Sequence, residues 1–112
     1  MKVVKITYPT PLSEIEEADN DNIDIFVELE DGNIYTLVIT TPNNIKSLIE
    51  KSNQDFFDAG PPMLIVRELT ERCITNAVNS YSMGEAYWLK EYHLSGSFTI
   101  ETLNEMIRAE KE

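Results

Sequence analysis

Ile23, Ile25, Val27 and Leu29 alternate with Asp24, Phe26, Glu28 and Glu30, and a second β-branched run follows from Ile34 to Thr40 across Glu30-Asp31-Gly32-Asn33. Successive side chains of a strand point to opposite faces, so this pattern demands a hairpin with one buried face. Two registers compete. A two-residue Asp31-Gly32 loop would pair Val27 with Thr36 and Phe26 with Leu37, scattering apolar residues over both faces. A three-residue loop, Glu30 to Gly32 with Gly32 left-handed in a bulge, pairs Val27 with Tyr35, Ile25 with Leu37 and Ile23 with Ile39. The second register gathers the large apolar residues on one face, except Phe26 and Ile34, and is therefore expected. It leaves Asp24, Phe26 and Glu28 outward, beside Val38, Thr36 and Ile34.

The remaining segments build around that hairpin. Val3 to Tyr8 is β-branched and stops at Pro9 and Pro11, as an edge strand would. Leu12 to Asn22 reads as a polar, acidic connection. Thr41-Pro42 opens a helix with a capping hydroxyl and an N-terminal proline, and Ile45, Leu48 and Ile49 form its apolar stripe, with an end near Lys51 or Ser52. Asn53 to Pro62 is a loop carrying Phe56 and Phe57. Met63-Leu64-Ile65-Val66 is apolar at consecutive positions, as expected of a strand inside a sheet. Thr70 caps a second helix with Ile74, Ala77, Val78 and Tyr81 on one face. Residues 85 to 94 fit strand and helix equally, and Phe98 to Arg108 has the cap, staple and stripe of a terminal helix. The expected architecture is a single α+β domain over residues 1 to 112. It is a sandwich with a four- or five-stranded, largely antiparallel sheet and about three helices.

Charge is segregated along the chain. Between Lys5 and Lys46 there is no base but nine acids: Glu14, Glu16, Glu17, Asp19, Asp21, Asp24, Glu28, Glu30 and Asp31. They account for most of the formal net charge of −11, and they predict a molecule polarised at one end. Such a field speeds encounter with a basic partner and repels nucleic acid and anionic membranes. The 42% hydrophobic content belongs to a folded scaffold and not to a disordered acidic tail. Within the stretch, the loop of Glu14 to Asp21 is expected to steer from a distance and the hairpin to offer fixed geometry. No run approaches the roughly 20 apolar residues of a membrane span, and a single cysteine fits a reducing cytosol, so a cytoplasmic location is expected.

Catalytic equipment is sparse. Cys73 and His93 are the only thiol and imidazole, and a dyad would need them at hydrogen-bond distance with a group orienting the ring. A packed thiol and a surface histidine account for both more simply. The run Asp19 to Glu30 resembles a calcium loop superficially, but Ile23 stands where an oxygen ligand belongs and Asp24 where glycine does. Neither a metal nor a cofactor is expected, and the chain does not read as an enzyme. Phe26 between Asp24 and Glu28 has the form of an interface anchor inside an acidic rim, unless a helix covers that face. Tyr81, Tyr87, Trp88 and Tyr92 make a second aromatic group, for core packing or a second contact patch.

The acidic strand pair IDIFVELEDGNIYTLVITTPNNI, the PPMLIVRELT strand entering a helix, the small size and the lack of catalytic groups resemble bacterial immunity proteins. These neutralise polymorphic or contact-dependent growth inhibition toxins. The resemblance implies tight binding in the cytoplasm to a cognate toxin domain, often a basic nuclease. The charge argument reaches the same class from the residues, because a nuclease must present cations for phosphate and an acidic surface competes for them. The candidate partner-binding residues are Glu14, Glu16, Glu17, Asp19, Asp21, Asp24, Phe26, Glu28, Glu30, Asp31 and Trp88. The alternative is an acidic nucleic-acid mimic inhibiting a DNA- or RNA-binding protein, which would need carboxylates at duplex-like intervals along a face.

Overall fold

A computed structural model describes residues 1–58, 63–84 and 86, together with Glu101, Asn104, Glu105 and Arg108. Among the described residues four strands form one sheet in the order β1-β2-β3-β4: β1 Val3–Thr7, β2 Asn22–Leu29, β3 Ile34–Thr40 and β4 Met63–Ile65. Over residues 1 to 86, the described residues also form the helices α1 Pro42–Ser52 and α2 Glu71–Tyr81 and a 3-10 turn at Leu12–Glu14. β1 and β2, and β2 and β3, are antiparallel, whereas β4 joins β3 in parallel through α1. The fold is α+β with a mixed sheet. Of the expected terminal helix, Glu101, Asn104, Glu105 and Arg108 are helical and exposed, and the rest lies outside the described residues, as does the 85 to 94 segment except Ala86.

The hairpin takes the three-residue loop. Val27 pairs with Tyr35, Ile25 with Leu37 and Ile23 with Ile39, and Gly32, at φ +83°, donates its amide to the Leu29 carbonyl at 2.9 Å. Only glycine takes that backbone angle without strain, which fixes the loop length and hence which face each residue shows. The buried face holds Ile23, Ile25, Val27 and Leu29 with Tyr35, Leu37, Ile39 and Leu64, closed by Ile74 and Val78 of α2 and by Val66 and Leu69 before it. Each large aliphatic side chain so buried contributes about 1.5–3 kcal/mol.

Both helix starts follow the sequence. Thr41 and Thr70 are extended caps whose side chains accept from Asn44 and Cys73 amides, and α1 ends at Asn53 in the left-handed region. The α1 stripe is less engaged than its spacing predicts: Ile45, Leu48 and Ile49 are half-buried and no α1 residue is fully buried. β4 does not lie inside the sheet among the described residues but ends it, with Leu64 on the core and Ile65 60% exposed. Four consecutive apolar residues arise here because Leu64 and Val66 face the core, while Met63 and Ile65 share the sheet's other face.

Candidate protein-binding face

The register that buries the odd residues of β2 turns its even residues to the opposite face. Three cross-strand rows result: Lys5-Glu28-Ile34, Thr7-Phe26-Thr36 and Asp24-Val38-Met63. Phe26 stands between two threonines with short side chains and is 38% exposed, and Ile34 beside it is 58% exposed. Lys5, Thr7, Phe26, Glu28 and Ile34 line a shallow depression of about 220 Å³. Lys5 and Glu28 are register partners across the β1-β2 pair. The lower end of the face is tied by Asn44, whose Oδ1 accepts from Asn22 Nδ2 and from Thr40 Oγ1, both at 3.0 Å.

The nine acids do not gather at one end. Asp21 and Glu30 flank β2, whose rise of about 3.3 Å per residue separates them by roughly 30 Å. Contiguity in sequence becomes opposition in space because a strand runs through the middle of the stretch. Three of these acids also bond locally. Asp21 Oδ1 accepts from the Asn22 amide at 2.7 Å, Glu30 Oε1 from the Lys2 amide at 3.1 Å, and Asp31 holds Asn33 through its amide and side chain at 3.0 and 3.1 Å. Glu14, Glu16, Glu17, Asp19 and Asp24 are exposed, and Glu28 is half-buried.

The acidic loop is anchored, contrary to the division between a free loop and a rigid hairpin. The Ala18 carbonyl accepts from the Leu69 amide at 2.7 Å, the Asp19 carbonyl from the Thr41 hydroxyl at 2.8 Å, and Ser47 reaches Asn20 at 3.4 Å. Leu12 and Ile15 pack against the core. The structure thus fixes the loop carboxylates on the molecule's surface at the β2 entrance. Lys5, Thr7 and Ile65 are members of the open face that sequence reasoning did not single out. Phe56, 60% exposed with Asp55 and Asp58 nearby in sequence, is a further exposed aromatic.

Trp88, Tyr87, Tyr92 and His93 lie outside the described residues. Cys73 is a half-buried free thiol on α2. Among the described residues, no three His, Cys, Asp or Glu side chains gather as a metal set, and no helix is long and apolar enough to cross a membrane. No known protein family, curated protein or solved structure matches the chain.

Proposed function

We propose that this chain is an immunity protein that binds a cognate toxin domain in the cytoplasm, a basic nuclease, and neutralises it through the open face of the sheet. The observation carrying the reading is Phe26, exposed at the centre of that face between Asp24 and Glu28 and beside exposed Ile34. An aromatic anchor beside an apolar neighbour, rimmed by charge, is the usual anatomy of an energetically dominant interface centre. The acids at both ends of β2 would spread the attractive field along the face, while Phe26 and Ile34 supply apolar contact. A nucleic-acid mimic is less well supported, because Phe26 and Ile34 interrupt the carboxylates where an uninterrupted file is needed.

The test is to survey the flanking genes for a nuclease toxin domain and to co-express that domain with this chain. Restored growth, together with an association rate that falls steeply as salt rises, is expected. Growth arrest unrelieved by the chain would remove the neutralising role, and an association rate indifferent to salt would remove the steering. Equal binding to unrelated basic proteins would favour the mimic.

A further inference from the structure

Among the described residues no strand pairs with the outer edge of β1. The Leu29 amide donates to the Asn33 carbonyl at 3.1 Å, and the Glu30 amide to the Lys2 carbonyl at 3.0 Å. Antiparallel hydrogen bonding alternates along a strand, so odd residues of β2 bond β3 and even residues bond β1. Lys5 and Thr7, the partners of Glu28 and Phe26, therefore point their backbone groups inward. The N–H and C=O of Ile6 point away from the sheet, and Val4, without a partner on β2, is 56% exposed.

A groove of about 310 Å³ runs along this edge, lined by Val3, Val4, Lys5, Ile6 and Tyr8 from the β1 side and by Glu71, Thr75 and Asn79 from α2. The three α2 residues are four apart and so form one line along the helix. β1 and α2 run antiparallel. The Met1 nitrogen donates to the Ser82 carbonyl at 2.5 Å, while Tyr8 lies by Thr75 and Glu71 at the opposite end.

We infer that this groove takes an extended segment of a basic partner protein, which adds a fifth strand to β1 and sets a cationic side chain against Glu71. Unpaired backbone groups select an extended chain, since main-chain bonds supply affinity and alternate side chains supply specificity. Charge selects the occupant. A second copy would bring together two chains of net charge −11, whereas a basic segment meets Glu71 on α2, and Lys5, which also lines the groove, lies opposite Glu28 and borders the depression on the other face of the sheet. The bulge between Val3 and Lys5 and the nearby Pro9 keep the open edge short, which suits a few residues of a partner and guards against indiscriminate pairing. The inference rests on the binding role proposed above and names how that partner is held.

Amide spectra of the labelled full chain test it, titrated with an end-capped seven-residue peptide of alternating valine and lysine. Slowed exchange at Ile6 with shifts at Thr75 and Asn79 is expected. The same peptide N-methylated throughout should leave both unchanged, as should a valine-glutamate peptide. Asn79→Glu should tighten binding at least twofold, and Glu71→Lys should weaken it at least threefold with the spectrum otherwise retained. Shifts confined to Phe26 and Ile34, affinity indifferent to residues 71 and 79, no binding at millimolar peptide, or Ile6 protection produced by protein concentration alone would each overturn it. The toxin takes no part here, so failure of the peptide leaves neutralisation standing, and failed growth rescue leaves the edge site standing.

Discussion

The Thr41 hydroxyl donates to the Asp19 carbonyl at 2.8 Å while accepting from the Asn44 amide at 3.3 Å. One fully buried side chain therefore starts α1 and fastens the acidic loop. Loss of a helix cap costs about 0.5–2 kcal/mol, and Thr41→Ala is expected at the upper end because the Asp19 bond goes with it. Thr41→Ser should recover most of the loss. Urea unfolding gives the energies, and faster amide exchange from residues 18 to 20 in the alanine variant alone would report the released loop.

Gly32 sets the register of the whole face. A methyl group added there meets nothing within 4 Å, so the cost of Gly32→Ala is backbone strain at φ +83°, about 1–2 kcal/mol. Gly32→Asn should cost less, because asparagine visits this region more readily. Thermal unfolding distinguishes the two; an alanine variant as stable as the parent would show that the loop had rearranged.

Tyr8 carries a buried hydroxyl that makes no hydrogen bond of good geometry, although Thr75 is near. Leaving a buried polar group unsatisfied costs about 1–3 kcal/mol. Tyr8→Phe is therefore expected to preserve or raise the unfolding midpoint, and a loss above about 1 kcal/mol would mean that the hydroxyl has a partner.

Alkaline stability should depend on two phenols. Burial pushes Tyr35 up, with Asp31 adding to the shift and Asn33 opposing it; burial also pushes Tyr8 up, opposed by Thr75 and reinforced by Glu71. Each phenol holds its proton more tightly folded than unfolded. Their contribution is present in full below the unfolded value of about 10 and is lost as pH rises from there through the folded values. Unfolding midpoints measured from pH 9 upward should fall, and less steeply in the Tyr8→Phe, Tyr35→Phe double variant.

Legibility of the fold followed local constraint. Gly32 and the alternation from Ile23 to Ile39 determine the hairpin, because a shift of one residue would turn the core outward. Thr41-Pro42 and Thr70 announce their helices by capping chemistry that needs no tertiary partner. That β4 ends the sheet among the described residues was not legible, since Leu64 and Val66 on the core leave Met63 and Ile65 to complete an apolar run. Of the candidate site, Asp24, Phe26 and Glu28 followed from the register, whereas Lys5 and Thr7 required the β1-β2 pairing, which no turn specifies. The charge count misled about shape, because it could not see that β2 carries Asp21 and Glu30 to opposite ends.

The most direct measurement titrates the toxin domain's nuclease activity with the parent chain and with Phe26→Asp. Backbone spectra first establish that the variant keeps the hairpin register. With the fold retained, the variant is expected to inhibit at least about 30-fold less well, the loss of a dominant anchor worth 2 kcal/mol or more. Inhibition equal to the parent's would contradict the assignment of the open sheet face as the neutralising surface.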